Sequence, residues 1–206
     1  MTANIVAELN GAPLYVVGAP HLDKCFVWIQ DFGSGEIILS ASGSIRYEGN
    51  DGARISWKDR TLNIGDEVVF IIQKGVKQTK PDEVIPAIFP RTVKEFEELE
   101  KSWESASNSD DNPQISINNE VLRAICQLSV SINAKKALFV GDDDTSELFF
   151  EIRSGSFRQD QGKACATLNL GYLHNGSDIN QATVPTTIQL NEGDKVSVNI
   201  NAVPLL

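Results

Sequence analysis

The sequence predicts an all-β chain built from two related antiparallel sandwich-like halves. Two observations carry that expectation. First, short apolar runs alternate with polar residues and are cut by turn signals every 8–12 residues or so, the pattern of a sandwich or barrel. Second, the chain writes one stretch twice: Leu62-Asn-Ile-Gly-Asp-Glu-Val-Val-Phe-Ile-Ile-Gln73 returns as Leu190-Asn-Glu-Gly-Asp-Lys-Val-Ser-Val-Asn-Ile-Asn201. Each copy reads as a tight Gly-Asp turn followed by a closing strand.

In order, residues 3–17 read as a hairpin around Asn10-Gly11, a dipeptide suited to positive φ. Lys24 to Gln30 is a strand apolar on both sides. Gly33-Ser-Gly35 turns the chain into Glu36 to Ala41, and Ser42-Gly-Ser-Ile-Arg46 opens the next strand. Gly49-Asn-Asp-Gly52 turns again, and Ile55 and Trp57 lead to the closing strand. Residues 115–201 repeat the plan with longer loops. There Asn118-Asn119 stands for the first turn, Cys126 to Asn133 alternates strictly, and Ser154-Gly-Ser-Phe-Arg158 repeats the Ser-Gly-Ser element. This is a tandem duplication, with expected domains at 1–73 and 115–206.

The segment 74–114 between them differs in character. Pro81, Pro86 and Pro90 punctuate an extended stretch, and Thr92-Val-Lys-Glu95 is a capping box. Val93, Phe96, Leu99 and Trp103 then recur at helical spacing, predicting one amphipathic helix over 92–105 that packs on the first domain.

The two halves differ on their wet faces. Phe26 and Trp28 fall where Ser129 and Ser131 stand, and Val69 and Ile71 where Ser197 and Asn199 stand. Phe26, Trp28, Val69 and Ile71 should therefore form one apolar flank of the first domain, covered by the helix or by another chain.

The net charge of −10 is spread over both halves and the linker. It disfavours nucleic acid and anionic membrane as partners and would attract a basic protein. No apolar run reaches the roughly 20 residues of a membrane helix, and the start lacks a secretory signal. Three cysteines cannot form a complete disulfide set within one chain, so a reducing cytoplasm is expected.

Chemistry-bearing motifs are few. His21 and His174 have no His or Cys at metal spacing. Asp142, Asp143 and Asp144, with Glu147, could gather Ca²⁺ through oxygens, but without the glycine and spacing of an EF-hand loop, so a solvated hairpin tip is the default reading. The Gly-rich turns precede neither lysine nor helix, and the Ser-Gly-Ser elements lack the strand–turn–helix setting of a nucleophile elbow. No cofactor is implied.

The pattern Glu8-Leu-Asn-Gly11, an apolar strand, then Leu62-x-x-Gly-Asp-Glu-Val68 resembles small uncharacterised bacterial β-domains over residues 5–73. The resemblance brings no site residues with it. The expected function is a non-enzymatic, acidic, cytoplasmic protein-binding module, with a toxin-neutralising or accessory role as its concrete form. Two alternatives stay open: an assembly subunit self-associating through the first domain, and a sugar- or metal-binding module or enzyme using loops 141–147 and 161–187.

Overall fold

The computed structural model describes residues 3–18, 22–31, 33, 35–46, 52–86, 123–135, 138–142, 145–155, 165–174 and 183–203. Thirteen strands run through them: β1 (Asn4–Leu9), β2 (Ala12–Val17), β3 (Leu22–Asp31), β4 (Ile37–Arg46), β5 (Gly52–Leu62), β6 (Glu67–Gln73), β7 (Glu83–Pro86), β8 (Cys126–Ile132), β9 (Leu138–Val140), β10 (Thr145–Gly155), β11 (Ala166–His174), β12 (Thr183–Leu190) and β13 (Lys195–Ala202). They form two antiparallel sheets, ordered β2-β1-β6-β13-β8-β9 and β12-β11-β10-β3-β4-β5-β7. The expected all-β, antiparallel architecture is the observed one.

Period-2 alternation decides which side chains meet. Ile5, Val68, Phe70, Ile72, Leu128, Val130, Val196 and Val198 point inward from the six-stranded sheet. Val27, Ile29, Leu39, Ile55, Phe150, Ile152 and Leu168 answer them from the seven-stranded one. All are buried in one cluster, and Phe70 stacks on Phe150 across it, centroids 5.3 Å apart. The sheets thus pack face to face, in a sandwich-like arrangement.

Both sheets draw strands from either side of the boundaries expected at 73 and 115. β6 pairs with β13 in one sheet and β3 with β10 in the other, so each sheet combines strands from both halves of the sequence. The physical reason is that a three-stranded half-sheet has a raw inner edge, and joining the halves at β6–β13 and β3–β10 satisfies both edges.

The sheet orders are symmetric about their central pairs. Read outward from the central pairs, β6-β1-β2 mirrors β13-β8-β9, and β3-β4-β5 mirrors β10-β11-β12. A pseudo-twofold axis relates the halves, passing near the Val69–Ser197 pair, where the repeated Gly-Asp stretches lie antiparallel. Gly65 N donates to Ile200 O and Gly193 N to Ile72 O, one bond the image of the other. The repeated Gly-Asp stretches fall on symmetry-related strands. Ser42-Gly-Ser falls in β4 but Ser154-Gly-Ser at the end of β10, which mirrors β3; and the strand of Phe26 and Trp28 mirrors β10, not the strand of Ser129 and Ser131. The helix expected over 92–105, with Val93, Phe96, Leu99 and Trp103, and the Asn118-Asn119 turn lie outside the described residues.

Candidate functional site

The four residues expected on one apolar flank are divided between the two sheets. Phe26 and Trp28 belong to β3, half-buried on the outer side of the seven-stranded sheet, because Cys25, Val27 and Ile29 between them fill the core. Val69 and Ile71 belong to β6, on the face of the six-stranded sheet away from the shared core, where Val69 is buried and Ile71 half-buried. There Val69 pairs with Ser197, the position contrasted with it from sequence, whereas Ile71 pairs with Lys195 and Asn199 with Glu67.

Around Trp28 the structure assembles something sequence spacing could not show. Cross-strand register places Asn169, Glu151, Trp28 and Ser40 in one row. Thr167, Arg153, Phe26, Ser42, Ser56 and Glu83 form the next. The charges are tied down: Arg153 Nε donates to Glu151 Oε2 at 2.6 Å, and its guanidinium lies over the Phe26 ring, 5.7 Å from the centroid.

The β5 side of this face opens into a cleft of about 410 Å³ lined by Trp28, Ser40, Ser42, Ser56 and the charged Arg54, Lys58, Asp59, Asp82 and Glu83. Two local features make it. A register shift between Leu39 and Ala41 sets Lys58 and Asp59 together opposite Ser40, a bulge that bends the sheet. Beyond it the chain after β6 straps the open side of the sandwich. Thr79 N donates to Val16 O and Thr79 Oγ1 accepts from Val16 N, while Thr79 O accepts the Trp57 indole N–H at 3.1 Å. Asp82 then accepts from Lys58 N at 2.7 Å, Ser56 Oγ donates to Glu83 Oε2 at 3.2 Å, and β7 pairs with β5. The described part of the linker therefore runs as a strap and an edge strand. Its Val84 and Ile85 stand exposed instead of covering Trp28.

Comparison with family models, curated proteins and solved structures returns no match. The chemistry of the cleft rests on its own atoms. Ser40 and Ser42 are 7% and 5% exposed, and both line the cleft. Each hydroxyl can donate one hydrogen bond and accept two, so the cleft floor offers polar groups of both kinds.

The acidic loop gives less. Asp142 Oδ1 accepts from Thr145 Oγ1, which itself accepts from Asp142 N, a closed turn. Glu147 sits half-buried on β10, Asp143 and Asp144 lie outside the described residues, and no group of three metal-ligating side chains occurs among the described residues. Of the cysteines, Cys25 and Cys126 are buried. Desolvation pushes the Cys25 thiol up to about 12 and raises that of Cys126 too, with the Asp31 carboxylate adding to the latter, so both are inert fillers of the core.

Proposed function

We propose that the chain is a non-enzymatic binding module that recognises another protein through the outer face of its seven-stranded sheet. The observation that supports it most directly is the make-up of that face. Trp28, Phe26 and Arg153 sit at its centre, two aromatics and an arginine, bordered by Ser, Thr and Asn. Residues of these types anchor protein interfaces, and a polar border completes them. The net charge of −10 selects for a basic partner and would speed its approach at low salt. A toxin-neutralising or accessory role in a bacterial cytoplasm is the concrete form of this reading.

The test is capture from native cell extract on the wild-type chain and on Phe26→Ala and Trp28→Ala variants shown by melting to be folded. The reading predicts one basic protein held by the wild type, lost from both variants and released by salt. Capture of the same proteins by all three chains, or of none, would contradict it. A mass that doubles with concentration in the wild type alone would point to self-association across the same face.

A further inference from the structure

We infer that the cleft beside Trp28 is a saccharide-binding site, taking a pyranose ring against the indole, either as free oligosaccharide or as a glycan carried on the partner. The inference rests on reading this face as the recognition surface. It goes further by naming the chemistry one end of that face accepts.

Three properties of the lining select the ligand. The floor is hydroxyl: Ser40 and Ser42 line the cleft, and each offers one donor and two acceptor lone pairs. A ligand that both donates and accepts uses this floor fully, as sugar hydroxyls do. The walls carry both signs, Arg54 and Lys58 against Asp59, Asp82 and Glu83. A purely cationic ligand would meet two cations and a purely anionic one three carboxylates, whereas vicinal diols bridge to carboxylate and guanidinium alike. The third property is Trp28, a half-buried indole at the cleft edge, the apolar surface against which the C–H face of a sugar ring packs. A volume of about 410 Å³ falls within the usual range of small-molecule sites and suits one or two rings.

Part of the lining is already committed. Asp82 holds Lys58 N and Glu83 receives the Ser56 hydroxyl. Ser40, Ser42 and Asp59 are the groups assigned to the ligand, and Asp82 and Glu83 keep the strap in place.

The test uses the full chain on a glycan array, followed by titration of tryptophan fluorescence with maltose, cellobiose, N,N′-diacetylchitobiose and any glycan the array selects. The expected result is saturable binding of at least one glycan. Ser42→Ala and Asp59→Asn should weaken it by about tenfold with an unchanged melting temperature, and Trp28→Ala should abolish it. Ser42→Ala keeps the inference testable if Trp28→Ala fails to fold. Binding by no glycan, or equal binding by wild type and Ser42→Ala, would overturn it. An Arg/Lys hexapeptide that binds in a Trp28-dependent way where no glycan does would also overturn it, marking the cleft as a cation receptor and leaving the protein-binding reading intact. Loss of partner capture with glycan binding retained would do the reverse.

Discussion

Asp31 ends β3 fully buried, and its carboxylate accepts three backbone N–H groups: Gly33 at 2.9 Å, Ile125 at 2.6 Å and Cys126 at 3.1 Å. The last two belong to the start of β8 in the opposite sheet, so one side chain ties the sheets and the repeats together. Ser154, at the end of the mirrored strand β10, makes the reciprocal tie by donating to Ala3 O at 2.7 Å. Asp31→Ala would strand three donors, the buried Cys126 N–H at the start of β8 among them, and should cost about 2–4 kcal/mol in denaturant unfolding. Tyr15 is the opposite case. Its hydroxyl is buried with no partner among the described residues, and burial, then the charge of Asp59, holds its pKa well above the usual phenol value. Tyr15→Phe removes an unsatisfied group without opening a cavity, and should leave stability unchanged or raise it by up to about 1 kcal/mol. Neither role was legible in sequence, where Asp31 is one acid before a Gly-rich turn and Tyr15 one strand aromatic.

Among elements, the two hairpin clasps show what the sequence carried and what it hid. Asn10 turns at φ 52° into Gly11 at 76°; its Nδ2 donates to Asp66 and its Oδ1 accepts from Glu67 N. The mirrored clasp is Asn133, at φ 51°, bonded in the same way to Asp194 and Lys195 N. The second turn escaped the sequence reading because Ala134 fills the glycine position, at φ 57°. A Cβ in that region is strained, so Ala134→Gly should stabilise the protein by about 1 kcal/mol in thermal or urea unfolding. Hydrogen bonds hold both clasp carboxylates below the usual range: Asp66 by the Asn10 amide first, Asp194 by the Asn191 backbone N–H first. A lowered folded pKa means their contribution is whole above the unfolded value near 4 and fades as pH falls through the folded one. The melting temperature should therefore drop on acidification below about pH 4, and Asp66→Asn with Asp194→Asn should make that acid limb shallower.

At the scale of the whole molecule, strand alternation and turn chemistry made the all-β class readable, since both are local. Which strands pair is not local. β3 meets β10 from far along the chain, and neither strand's own pattern encodes the pairing. The cleft was hidden for the same reason: Trp28, Ser42, Lys58 and Glu83 come together through β3, β4, β5 and β7, and nothing in their spacing announces it. Because both central pairings join one repeat to the other, the chain should unfold as one unit. Scanning calorimetry of the full chain tests this most directly. The account predicts a single transition whose calorimetric and van't Hoff enthalpies agree; two separable transitions, one for each repeat, would contradict it.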